Sequence, residues 1–149
     1  MAFLLDTNIL ARLASAGDAR YAVTTRAVAT LHRRGEVLHI TPQNLIEFRA
    51  LATRPVAVNG LGFAAVDAEA KAADFEAEFP LLPDVPAVYP AWKLLVETLG
   101  VIGRQVHDAR LVAVCHAHGV THLLTYDVAH FRRLTAFGPA VTVVDPATL

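Results

Sequence analysis

The chain is short of lysine, has a single cysteine and lacks any long apolar run, and each shortage narrows what it can be. Cys115 stands alone among 149 residues, which excludes an internal disulfide and fits a reducing compartment. No apolar stretch approaches the roughly 20 residues that a spanning helix needs. Met1–Asp6 has no basic start and meets a charge at its sixth residue, so it reads as a first strand rather than a signal peptide. A soluble, cytoplasmic protein without a membrane partner is expected. There is no internal repeat and no low-complexity linker, so residues 1–149 read as one domain. Gly60-Leu61-Gly62 lacks both the third glycine and the strand–helix setting of a phosphate loop, so no nucleotide cofactor is expected. His107, Cys115, His116, His118 and His122 crowd one stretch, but without the paired ligand doublets of a zinc site. Cys115 reads as a small buried apolar residue.

Hydrophobic residues make up 54 % of the chain, enough for a full core. The net charge of −1 hides an uneven distribution. The only lysines, Lys71 and Lys93, lie between Leu61 and Gly100 among seven acids. The remaining eleven basic residues are all arginine and lie outside that segment. Seven acids share that outer part of the chain. If a metal neutralises four of them, what is left there is positive and suited to phosphate.

Apolar segments alternate between strand-like and helix-like lengths. Ala2–Leu5, Val37–Ile40, His122–Thr125 and Val141–Val144 read as strands. Helices are expected from Asp6-Thr7-Asn8 through Leu13, and over Arg20–Arg34, Thr41–Thr53, Ala64–Phe79, Ala91–Leu99, Asp108–His118 and Ala129–Leu134. Phe79–Pro90 carries four prolines and reads as a loop. The alternation predicts an α/β fold in which a central parallel sheet is flanked by helices on both faces. Ligands of such sheets bind at the carboxyl ends of the strands.

Four acids stand out against this outline. Asp6 and Asp127 each follow an apolar strand. Glu47 sits in a helix between Ile46 and Phe48, and Asp108 opens the helix containing Leu111 and Val112. Each has an ordinary explanation: a helix cap for Asp6 and Asp108, a solvated face for Glu47, a turn for Asp127. Taken jointly they suggest a shared charge problem. Two carboxylates about 4 Å apart repel by about 4 kcal/mol at an effective dielectric near 20. A hard divalent cation with oxygen ligands is the simplest remedy.

The same four segments carry a family resemblance. Phe3-Leu4-Leu5-Asp6-Thr7-Asn8-Ile9-Leu10, Thr41-Pro42-Gln43-Asn44-Leu45-Ile46-Glu47-Phe48, His107-Asp108-Ala109-Arg110-Leu111-Val112-Ala113 and Leu123-Leu124-Thr125-Tyr126-Asp127-Val128-Ala129-His130-Phe131 resemble, in order, the four blocks of the PIN-domain family. The likeness is to the VapC-like toxins of bacterial toxin–antitoxin pairs in particular. The fourth block departs in part, with His130 where the family often has an acid before the phenylalanine. A partly exposed helix position is expected for His130.

The resemblance implies a PIN-like three-layer fold and a Mg²⁺- or Mn²⁺-dependent endoribonuclease. A small antitoxin protein, an RNA substrate and a homodimer are its expected partners. It implies the acids of these blocks as metal ligands; we expect Asp6 and Asp108 to bind directly, with Glu47 and Asp127 holding metal-bound waters or a second ion. Thr7, Asn8 and Thr125 are expected to orient carboxylates or the scissile phosphate, and Arg104 and Arg110 to hold substrate phosphates. Two other readings stay open: a structure-specific DNA nuclease on a similar fold, and a PIN-fold module that binds RNA or protein without cutting.

Overall fold

Along β1 (Ala2–Leu5), Phe3 and Leu5 enter one apolar cluster and Leu4 enters the other. Side chains on a strand alternate between its faces, so a strand apolar at every position must be covered on both. The same division holds for β3 (His122–Leu124), where Leu124 joins Phe3 and Leu5 and Leu123 joins Leu4. With β2 (Val37–His39) and β4 (Thr142–Val144) they form one wholly parallel sheet of order β2-β1-β3-β4. The computed structural model describes residues Met1–Leu149 throughout.

Helices α1 (Thr7–Leu13), α2 (Tyr21–Arg33), α3 (Pro42–Thr53) and α4 (Ala65–Glu78) supply the cluster on the Phe3 and Leu5 face. Helices α5 (Val88–Leu99), α6 (Gln105–His118) and α7 (Val128–Leu134) cover the Leu4 face. The expected three-layer α/β fold with a flanked parallel sheet is therefore what the chain adopts. No helix is long and apolar enough to cross a membrane.

Two boundaries differ from expectation in ways that matter. α5 starts at Val88, so Pro90 lies in its first turn rather than in the preceding loop. The first helical N–H groups have no carbonyl partner, so proline costs nothing there. α6 starts at Gln105 after the left-handed turn at Gly103 (φ +61°), which places Asp108 at the fourth position of its first turn instead of at its opening. Asp108 is therefore not a cap. α6 is also more deeply buried than one apolar face would require. Leu111, Val112 and Cys115 meet the sheet-side cluster, while Ala113 and Val114 pack against Val88. Two short 3₁₀ turns, Val56–Val58 and Pro146–Thr148, were not foreseen.

Gly60 and Gly62 do have a structural task. A Cβ on Gly60 would lie 1.9 Å from the Arg54 carbonyl oxygen, and Gly62 (φ +69°) accepts a left-handed turn. Only glycine permits both. The loop thereby folds back on the end of α3.

Candidate active site

β1 connects to β2 on one side of the sheet, and β3 lies on its other side. The strand order reverses between β1 and β3, and the crevice beyond their carboxyl ends is where α/β proteins bind ligands. Asp6 follows β1 there. Its N–H donates to the Leu124 carbonyl (3.0 Å), extending the β1–β3 pairing by one bond.

Asp6 occupies the cap position of α1, and its Oδ1 accepts from the Thr7 N–H (2.7 Å). Capping does not exhaust it. Oδ2 accepts from the Thr125 hydroxyl (2.7 Å), and the whole residue is only 6 % exposed. Burial pushes the Asp6 carboxyl up to about 7. Its hydrogen bonds with Thr125 and Thr7 oppose that rise, and the charges of Asp108 and Glu47 add to it. Asp6, Glu47 and Asp108 thus lie close enough to feel one another.

Thr125 is a junction. Its hydrogen goes to Asp6, so its oxygen accepts, from Asn8 Nδ2 (3.2 Å) and from the Asp127 N–H (3.0 Å). One donor and two acceptor lone pairs are all a hydroxyl has. Thr125 therefore ties β1, α1 and the start of α7 together around Asp6.

Glu47 projects from α3 and is only partly exposed. Its Oε2 accepts from the Thr7 hydroxyl (2.7 Å) and its Oε1 from Gln43 Nε2 (2.8 Å). Asn44, fully buried, donates to Thr7 Oγ1 (3.1 Å), and its Oδ1 takes the Thr41 N–H (2.8 Å) in a reciprocal capping box. The cap of α3 thus also fixes the hydroxyl that holds Glu47.

Asp108 is partly open to solvent, and burial raises its carboxyl above the usual range. Its Oδ2 lies 2.9 Å from His130 Nε2, and that pairing pulls the other way, whereas Glu47 and Asp127 push it further up. His130 is a partly exposed helix residue, as expected, but its ring is not left to solvent. Its side chain is 13 % exposed and turned inward onto Asp108. Asp127 itself is exposed and makes no side-chain capping bond to α7.

The two arginines part company. Arg110 is held by Asp84 (2.7 Å) and Gln43 (3.2 Å). Arg104 is exposed and lines the cleft of about 560 Å³ that also contains Thr7, Glu47 and Asp108. Arg54, not singled out in the sequence, lines the same cleft. Gln43, Asn44 and His130 are the other participants the sequence did not mark as such. The Thr41-x-x-Asn44 spacing and the four-residue Gln43–Glu47 step were the available signals.

The donor set suits a hard cation. Its oxygens come from Asp6, Glu47, Asp108 and Asp127, and no lysine or arginine forms an ion pair with any of them. The Asp6 carboxyl is raised first by burial and further by the charges of Asp108 and Glu47, with no cationic side chain to offset them. No three His, Cys, Asp or Glu side chains already stand at ligand spacing. Glu47 is drawn to Thr7 and Gln43, and Asp108 to His130, so these are the contacts a bound ion would exchange.

An α/β sheet with an acid-lined crevice at its switch point defines the class. The chain belongs to the PIN domain family, whose profile matches residues 3–136. No curated protein matches the sequence. Among solved structures, VapBC2 from Rickettsia felis, bound to a promoter DNA fragment, is similar at TM-score 0.71 and 16 % identity, over 97 % of this chain and 98 % of that one. VapBC-1 from nontypeable Haemophilus influenzae is similar at TM-score 0.71 and 16 % identity, over 98 % of each chain. Mycobacterium tuberculosis VapC20, described as a toxin cleaving the sarcin–ricin loop, is similar at TM-score 0.66 and 22 % identity, over 87 % of this chain and 93 % of that one.

Proposed function

We propose that this protein is a Mg²⁺- or Mn²⁺-dependent endoribonuclease and the toxin of a toxin–antitoxin pair, working as a homodimer in the cytoplasm. The observation that carries the reading is the buried Asp6 carboxylate at the carboxyl end of β1, within electrostatic reach of Asp108 and Glu47 and with no lysine or arginine paired to any of the three. A buried acid beside two others destabilises the fold unless a cation joins them. The toxin role and the antitoxin partner rest on the kind of complex that the similar folds form.

Asp6 and Asp108 are the proposed direct ligands, with Glu47 and Asp127 beside them. The ion would supply an activated water and neutralise charge on a scissile phosphodiester. This chain's own groups do the positioning. Thr125 aims Asp6, Thr7 and Gln43 aim Glu47, and His130 aims Asp108. Arg104 stands in the same cleft as a free positive charge for the substrate backbone.

A panel of RNA and DNA substrates incubated with purified protein tests this. Cleavage of RNA with Mg²⁺ or Mn²⁺, absent in EDTA and in Asp6→Asn, is expected. Preferential DNA cleavage would replace the RNA reading. Full RNA binding without cleavage under any divalent ion would make the protein a binding module.

A further inference from the structure

The acid-lined cleft does not end at the acids. Beside it lies a second depression of about 350 Å³ that shares Glu47 and His107 with it and adds Arg110 and Asp84. A third space of about 420 Å³ shares Arg110 and Asp84 with the second and closes on Val85, Val88, Tyr89 and Trp92. The three depressions therefore lie side by side, from Arg54 and Arg104, past Thr7, Glu47 and Asp108, to an aromatic end wall beyond the Arg110–Asp84 pair.

That end wall is rigid and open. Tyr89 and Trp92 stack with ring centroids 5.8 Å apart and planes inclined by 28°. Trp92 Nε1–H donates to the Val106 carbonyl (2.7 Å), which locks the indole against α6. Tyr89 lies on top, 66 % exposed. An isolated exposed tyrosine needs no explanation. This one stacks on a tryptophan, next to an arginine, in a depression two steps along the surface from the acids.

We propose that Tyr89, supported by Trp92, is a stacking platform for an unpaired nucleobase of single-stranded RNA whose backbone crosses the acidic site. The chemistry of these adjoining depressions suits such a strand. Phosphates meet Arg54 and Arg104 at one end and Arg110 at the junction, and a flat base meets a flat ring at the other. Aromatic stacking is how proteins hold unpaired bases without requiring one sequence. Arg110 gives one terminal nitrogen to Asp84 and the other to Gln43, so a phosphate at the junction would share or displace those partners. The platform rests on the nuclease reading for its substrate, but binding and cutting are measured separately.

The test uses the full chain in EDTA at low salt, with a fluorescein-labelled single-stranded RNA of about ten nucleotides. Binding is followed by anisotropy and by emission from Trp92, the sole tryptophan. RNA should quench Trp92. Tyr89→Ala should weaken binding roughly ten- to hundredfold, the contribution of one stacked base. Tyr89→Phe should bind as the parent does. Replacing successive nucleotides by abasic ones should find a position where the parent loses affinity and Tyr89→Ala loses nothing further. Unchanged binding in Tyr89→Ala, equal loss in Tyr89→Phe, or no binding by the parent would overturn the platform. So would a change of oligomeric state in Tyr89→Ala, which would make this face a contact between protein chains. If RNA is bound through Tyr89 but never cut, the platform stands and the nuclease reading fails. If RNA is cut and Tyr89→Ala binds normally, the reverse holds.

Discussion

His130 Nε2 lies 2.9 Å from Asp108 Oδ2, joining the start of α7 to the first turn of α6 across 22 residues of chain. The imidazole gives Asp108 a partner inside the protein. A metal bound at Asp108 would compete with that partner.

A double-mutant cycle on this pair, read from metal-free stability, should give a small coupling. Asp108 is about one-third open to water, and screened pairs of this kind contribute below about 1 kcal/mol. With saturating Mn²⁺ the coupling between His130→Ala and Asp108→Asn should fall toward zero, because the ion replaces the imidazole. A coupling unchanged by Mn²⁺ would show that Asp108 does not meet the metal.

The Asp6 carboxyl makes metal-free stability depend on pH. Its value rises from the ordinary 3.8 to about 7 on folding, so the folded state holds this proton more tightly than the unfolded state does. The stabilisation is complete below about pH 4 and is lost as pH rises toward 7. Linkage sets its size at no more than about 4 kcal/mol. Asp6→Asn should flatten that part of the pH profile and melt at or above the parent temperature at pH 8. Retention of the slope in Asp6→Asn, measured by thermal denaturation in EDTA, would place the titration elsewhere.

Divalent ions should stabilise the protein by mass action. At a hundredfold excess over the dissociation constant the gain is about 2.7 kcal/mol. For a domain near this size that is roughly 5–10 °C of melting temperature. Mg²⁺ or Mn²⁺ should give the shift to the parent and not to Asp6→Asn or Asp108→Asn. Equal shifts in all three proteins would locate the ion away from these acids.

Thr7→Val keeps the shape of the side chain and removes the hydroxyl shared by Glu47 and Asn44. Asn44 is fully buried, so its amide loses an acceptor it cannot recover from water. The cost should be about 1–3 kcal/mol. Activity should fall as well, because Glu47 loses one of its two donors. Asn44→Ala should destabilise too, and the two changes together should cost less than their sum, since they break one network. Strict additivity in urea unfolding would contradict that network.

Much of the fold was legible because strand and helix burial repeat along the chain. Phe3, Leu4 and Leu5 announced a strand covered on both faces, and Thr41-Pro42 announced the start of α3. The left-handed turn at Gly103 shifted α6 by three residues, since Arg104 gives no capping signal of its own. Asp6 was legible from its place after an apolar strand. His130 was not, because the sequence around it says nothing about which helix α7 approaches. Asn44 was not legible either, because its bond to Thr7 Oγ1 spans 37 residues.

The amino-acid sequence by itself determined which segments are strands, which are helices and where the acids stand along them. Local backbone preference and the period of apolar residues are enough for that. Only the tertiary structure decided that Asp6 shares a hydrogen bond with Thr125, 119 residues away, or that Asp108 belongs to His130 rather than to a helix cap. The raised carboxyl of Asp6 also comes from the assembled molecule. Desolvation and charge repulsion depend on distance through space, and that distance exists only once β1 and β3 pair and bring the ends of α1, α3, α6 and α7 to one crevice.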